Sequence, residues 1–100
     1  MARLTDQQVA EALAGLPGWQ RRGEALQKTF VFPSFPDGVA FLVRLAFETE
    51  AADHHPDVAI HYRQLTLSYW THTEGGITAK DVEGAGVADR LAAAWHAGAP

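Results

Sequence analysis

The chain contains no cysteine, so it can build neither a disulfide framework nor a thiolate nucleophile or thiolate metal ligand. It also lacks any apolar run approaching the roughly 18 residues that span a bilayer, since its most hydrophobic stretch, Val39 to Phe47, is broken by Arg44. No membrane partner is expected. Basic residues are sparse: eight Lys and Arg are scattered against twelve Asp and Glu, for a net charge of −4. That balance argues against a nucleic-acid partner, which would need a basic face. The opening Met1-Ala2-Arg3-Leu4-Thr5 has no apolar segment of the signal-peptide kind, and the expectation is a cytoplasmic protein. Repeats and linkers are missing too. One hundred residues read as a single domain over 1–100, with a true core but about a third of its unfolded-chain surface left exposed.

What is present is an order of helix, two strands, helix, two strands, helix. Thr5-Asp6-Gln7-Gln8 has the form of a capping box, followed by Val9, Leu13 and Leu16 at helical spacing and a stop at Pro17-Gly18. Helix one is expected over about residues 5–15. Trp19 to Arg21 and Leu26 to Phe32 flank the turn-like Arg22-Gly23-Glu24, and Pro33 closes the second of these strands. Pro36-Asp37-Gly38 opens a second helix with Val39, Leu42, Ala46 and Thr49 on one stripe. It is expected to end near His54-His55, because the residue before Pro56 is driven out of the α region.

Val58, Ile60 and Tyr62 then alternate with Ala59, His61 and Arg63, and Leu65, Leu67 and Tyr69 alternate with Thr66, Ser68 and Trp70. Both runs have the period of strands. With Arg63-Gln64 as a two-residue hairpin loop, Tyr62 would face Leu65, Ile60 would face Leu67, and His72 would fall opposite His55. Glu50 stands four residues before His54 and shares its face if the last turn stays helical. Glu50, His54, His55 and His72 would then line one pocket. Histidine can give and take a proton near neutral pH, so the cluster points to acid–base chemistry or to a metal. Thr78 and Asp81 begin a third helix whose apolar face is Val82, Ala85, Ala88, Ala92 and Trp95. Gly84 and Gly86 within it should each cost about 1 kcal/mol relative to Ala, which implies close packing against another element or subunit.

Each of these residues also has an ordinary explanation. Asp81 serves as the helix-start carboxylate of Thr78-Ala79-Lys80-Asp81. Glu50 alone is a solvated helix residue, Tyr62 alone is strand packing, and His61 is an exposed or interface residue of a strand. His96 is a favourable charge at a helix end. Tyr69 and Trp70 read as sheet surface or subunit contact rather than as a stacking platform. Convergence in the hairpin is what lifts His54, His55 and His72 above this background.

The pattern Glu50-x3-His54-His55-Pro56-x5-Tyr62-x9-His72-x8-Asp81 resembles the signature of the pterin-4a-carbinolamine dehydratase family. Leu16-Pro17-Gly18-Trp19, the Phe30-Val31-Phe32 strand and the spacing of helix two extend the likeness to nearly the whole chain. The resemblance implies an α+β fold: a four-stranded antiparallel sheet with three helices on one face, in the order α-β-β-α-β-β-α. It also implies a dehydratase, a carbon–oxygen lyase that removes water from a 4a-hydroxytetrahydropterin to give the quinonoid dihydropterin, as in tetrahydrobiopterin recycling. Elimination needs one group to protonate the departing oxygen and another to take the N5 proton. His54 and His72 are the candidates. His55 would orient the ring, while Glu50 and Asp81 would hold the imidazoles by hydrogen bonds. The same likeness places His54, His55, Pro56, Thr71, His72, Thr73 and Glu74 around the pterin, with neither metal nor other cofactor required. The chain departs from the family pattern at Tyr69-Trp70, where Leu, Thr or Ser is usual before the Thr-His pair, and at Gly84 and Gly86.

Two rival readings belong to other classes. A metal site could draw on Glu50, His54, His55 and His72, but adjacent histidines leaving a helix rarely address one ion, and no HExxH-type pair occurs. A non-catalytic assembly or dimerisation factor on the same fold is the alternative function, although such a module has no need of all three histidines. A homodimer or homotetramer is expected in either case. Three helices cover one face of the sheet, and Trp70, on the face of Thr66 and Ser68, would otherwise be left in water.

Overall fold

A computed structural model describes residues 2–95 and 97; His96, expected at a helix end, lies outside the described residues. The first helix, α1, runs over Asp6–Ala14. Its start is the expected capping box: the Gln8 N–H donates to Thr5 Oγ1 at 3.1 Å and the Thr5 N–H donates to Gln8 Oε1 at 2.8 Å. Such a cap contributes about 1 kcal/mol. Strands β1 (Gln20–Arg22) and β2 (Ala25–Val31) form a hairpin. Its loop is tighter than expected, with Arg22 pairing Ala25 across Gly23-Glu24. Gly23 takes a φ of 59°, a conformation glycine adopts without strain. Trp19 is released from the strand and buried in the core.

Helix α2 (Phe35–Ala52) is capped by Ser34, whose Oγ accepts from the Asp37 N–H at 3.2 Å. Its buried face is Gly38, Phe41, Leu45 and Thr49. The expected stripe of Val39, Leu42, Ala46 and Thr49 is therefore rotated by about one position. The cause lies in the helix itself, which is apolar on two sides: Phe41 and Leu45 face the sheet, while Phe35, Val39, Val43 and Phe47 form a second stripe left exposed. α2 also ends earlier than expected. Asp53 turns left-handed at φ 50° and its N–H bonds back to Glu50 and Thr49, a helix ending that Asp tolerates better than most residues. His54 and His55 thus lie on the extended segment that leads into the next strand.

Strands β3 (Asp57–His61) and β4 (Gln64–Tyr69) complete an antiparallel sheet of order β1-β2-β4-β3. Their loop is Tyr62-Arg63 rather than Arg63-Gln64, so Ile60 pairs with Leu65 and Val58 with Leu67. The expected register is two residues out. A shift of two preserves which face each side chain occupies, and Leu65, Leu67 and Tyr69 are buried as the alternation implied. His72 and His55 do not, however, become cross-strand partners. The opposite face carries a polar ladder, with Thr29 and Thr66 hydroxyls 2.8 Å apart and Gln27 Nε2 donating to Ser68 Oγ at 2.9 Å.

Helix α3 (Ala79–Ala92) lays Ala85, Ala88 and Ala92 against the sheet, and short side chains there let it lie close. The core is centred on Phe30, Phe32 and Phe41, whose rings lie 5.1 to 6.3 Å apart. Burying each ring is worth about 2–3 kcal/mol. Lys28, pointing into this layer, is satisfied by the Pro17 carbonyl at 3.0 Å and Asp89 at 2.9 Å, and Asp89 also accepts from the Trp19 indole. The fold is thus an α+β sheet with its three helices on one face. Among the described residues no helix is long and apolar enough to cross a membrane.

Candidate active site

The site grows from the start of α3. Asp81 closes a second capping box, its Oδ2 accepting from the Thr78 N–H at 2.8 Å. The same oxygen accepts from the Thr71 hydroxyl at 2.8 Å, and Oδ1 lies 2.6 Å from His54 Nε2. Asp81 is fully buried, so each of these bonds replaces water it has lost. The ordinary and the functional readings of Asp81 both hold, because the carboxylate that starts the helix also grips a histidine. With the carboxylate accepting, Nε2 of His54 carries the hydrogen and Nδ1 is left as the acceptor.

His54 is further fixed by Tyr69, whose ring stacks on the imidazole at 5.9 Å and 27°. Tyr69 is 1% exposed rather than sheet surface. Burial, and then the nearby Asp81 charge, push its hydroxyl up to about 12. It therefore remains a neutral phenol throughout the physiological range.

The other two histidines are held differently. His55 Nε2 lies 2.9 Å from Glu50 Oε1, both groups being largely exposed. Glu50 therefore partners His55 and not His54, because the early end of α2 carries His54 off the face that Glu50 occupies. His72 opens a 3₁₀ turn over His72–Glu74. Its ring packs on that of Trp70 at a centroid distance of 3.9 Å, and Trp70 is pinned by its indole N–H donating to Asp57 Oδ2 at 2.9 Å. Trp70 is thus a stacking platform for His72, a role the sequence reading did not expect of it.

These groups surround a cleft of about 340 Å³ lined by His54, His55, Trp70, Thr71, His72 and Thr73 together with Asp53 and Lys80. Of the residues expected from the sequence, His54, His55, Thr71, His72 and Thr73 line it, while Glu50 and Asp81 stand behind the imidazoles. Pro56 and Glu74 do not line the cleft. Tyr62 sits in the loop at the far end of the β3–β4 hairpin, 73% exposed. Asp53, Trp70 and Lys80 are lining residues that sequence reasoning missed. An aromatic immediately before Thr71-His72 was the available signal for Trp70. Each histidine turns to a different neighbour, and among the described residues no group of three or more His, Cys, Asp or Glu converges as a metal site.

A family profile described as pterin 4 alpha carbinolamine dehydratase matches residues 2–91. The chain belongs to this family. Proteins bearing the pterin-4-alpha-carbinolamine dehydratase name include one from Roseiflexus sp. (strain RS-1), 51% identical over 81% of this chain and 87% of its own length. Another, from Mycobacteroides abscessus, is 50% identical over 82% of this chain and 87% of its own length. The crystal structure of a transcriptional coactivator/pterin dehydratase from Brucella melitensis superposes with a TM-score of 0.87 at 34% identity, covering 90% of this chain and 98% of that one.

Two of the positions singled out in the sequence, Tyr69 and Gly84, are linked in the fold. A Cβ added at Gly84 would lie 2.5 Å from Tyr69 Cε1 and 2.7 Å from Cζ, closer than atoms can pack. The bulky Tyr69 is accommodated because α3 has no side chain there. The close packing anticipated for Gly84 is therefore intramolecular. Gly86 differs: the nearest neighbour to its added Cβ is the flexible end of Arg90 at 3.4 Å, and nothing in the structure explains it.

Proposed function

We propose that this pterin dehydratase family member is a 4a-hydroxytetrahydropterin dehydratase acting by histidine acid–base catalysis. The observation that carries the reading is the grouping of three differently anchored imidazoles around one cleft that can receive a bicyclic ring. In the reaction the C4a–oxygen bond breaks, the N5–H bond breaks, a C4a–N5 double bond forms, and the hydroxyl leaves as water with one added proton. His54 is suited to take the N5 proton, since Asp81 fixes hydrogen on Nε2 and stabilises the positive ring that forms when Nδ1 is protonated. His72, stacked on Trp70 and lining the same cleft, is suited to protonate the departing oxygen. The proton lost by one is matched by the proton gained by the other, so solvent exchange restores the resting state. His55 with Glu50 orients the ring, and Thr71 and Thr73 offer backbone groups to its polar edge.

The protein in this reading is cytoplasmic, works as one catalytic unit per chain and assembles as a homodimer or homotetramer. Support for assembly comes from α2: Phe35, Val39, Val43 and Phe47 are 47%, 36%, 56% and 68% exposed along one stripe. An aligned apolar surface of that kind is commonly covered by a partner. The same stripe is what a non-catalytic assembly or dimerisation role would use. Stopped-flow absorbance separates the two: decay of the 4a-hydroxytetrahydropterin should accelerate in proportion to protein concentration. Decay at the spontaneous rate would refute the catalytic reading and favour the assembly one.

A further inference from the structure

A second cavity, of about 420 Å³, lies between α2 and α3. It shares His54 and Lys80 with the catalytic cleft, and its apolar walls include Leu45, Ala51, Ala52 and Val87. Tyr69 and Gly84 add to these walls, and Glu48, Thr49 and Glu83 complete the lining. The Tyr69 hydroxyl makes no hydrogen bond to a described residue although the residue is 1% exposed. Yet no buried side-chain polar atom among the described residues is sealed away unpartnered. The hydroxyl therefore opens onto this cavity, the space that Tyr69 lines. An almost wholly buried phenol with no partner, facing an apolar chamber of ligand size, is the composition of a binding site rather than of a packing fault.

We propose that this chamber receives the C6 substituent of the pterin and selects an aromatic one over a short one. The inference rests on the pterin reading given above. C6 adjoins N5, so a ring whose C4a–N5 bond lies beside His54 carries its substituent close to the wall that the two spaces share. Apolar walls reward a flat hydrophobic group, and the Tyr69 hydroxyl can satisfy one polar atom on it. A short hydroxylated chain would instead exchange several water contacts for apolar walls. The rim is close to neutral: Glu48 is paired with Arg44 at 3.3 Å, and Lys80 stands one helical turn before Glu83. A neutral substituent is therefore favoured. The opening depends on the pairing of Tyr69 with Gly84, since a side chain at Gly84 would displace Tyr69.

Calorimetric titration of the full chain with 6-phenyl-7,8-dihydropterin and 6-methyl-7,8-dihydropterin tests this directly. The phenyl compound should bind about ten-fold tighter or more, the gain from burying roughly 60 Å² of additional apolar surface. In Val87→Trp, where the indole fills the chamber, the ratio should fall to about one. Ala51→Phe blocks the same chamber from its exposed wall and gives the same answer if Val87→Trp does not fold. Equal affinities in the unaltered protein, or a preference that survives the blocking variants, would overturn the chamber while leaving the cleft reading standing. Failure of both compounds to bind would overturn the two together.

Discussion

Replacing Gly84 with alanine is the sharpest probe of how the site is built. On helix propensity alone the change should stabilise α3 by about 1 kcal/mol. In this fold the new methyl would lie 2.5, 2.7 and 3.0 Å from three atoms of the Tyr69 ring. That ring cannot swing aside freely, because it is buried and stacked on His54. Overpacking of this kind costs about 3 kcal/mol, so Gly84→Ala should be net destabilising by about 2 kcal/mol. For a chain of this size that corresponds to a melting temperature lower by roughly 8 °C or more. In a Tyr69→Leu background the obstruction is gone, and the same substitution should stabilise by about 1 kcal/mol, giving a coupling of about 3 kcal/mol in a double-mutant cycle. Urea unfolding of the four proteins measures it. A stabilising Gly84→Ala in the unaltered background, or additivity within about 0.5 kcal/mol, would refute the proposed packing. Gly86→Ala is the internal control and should gain up to ~1 kcal/mol, because its Cβ meets only the end of Arg90.

Tyr69 should also make stability fall at alkaline pH. Its hydroxyl is raised to about 12 in the folded protein against 10.0 unfolded. The unfolded chain therefore loses that proton first, and roughly 2–3 kcal/mol of stability present below pH 10 should disappear as pH rises towards 12. Unfolding at pH 9 and 11.5 should show this loss in the unaltered protein and a smaller one in Tyr69→Phe; identical profiles would contradict it. Asp81→Ala strips partners from His54, Thr71 and the Thr78 N–H at once, and should cost about 3 kcal/mol or more in thermal or urea unfolding. His55→Ala should mainly raise KM, since the exposed His55–Glu50 pair positions substrate; a kcat loss with unchanged KM would refute that division of labour.

Much of this architecture is legible in the sequence where the determinants are local. Both capping boxes, Thr5 with Gln8 and Thr78 with Asp81, involve side chains reaching backbone groups three residues away, and both are present. The faces of β4 follow from simple alternation. The β3–β4 register does not, because Tyr62 takes a φ of 55°, a turn conformation that a tyrosine does not advertise. The face of α2 is not legible either, because Val39, Val43 and Phe47 are as apolar as Phe41 and Leu45, and only the sheet decides which set is buried. The partner of Glu50 depends on a helix ending at Asp53 rather than near His54-His55. Trp70 and the Tyr69–Gly84 contact are tertiary facts: the former depends on where the 3₁₀ turn sets His72, the latter on how α3 crosses β4. The histidine constellation itself was visible as spacing, while its three distinct anchors were not.

The central claim is that His54 and His72 dehydrate a 4a-hydroxytetrahydropterin in the cleft between them. It is tested most directly by stopped-flow decay of that compound with the unaltered protein, a His54→Ala/His72→Ala double variant and a His61→Ala control. The account predicts acceleration by the unaltered protein and the control, and a kcat at least about 10²-fold lower in the double variant, as for loss of an acid–base pair. Undiminished acceleration by the double variant, or none by the unaltered protein, would contradict it.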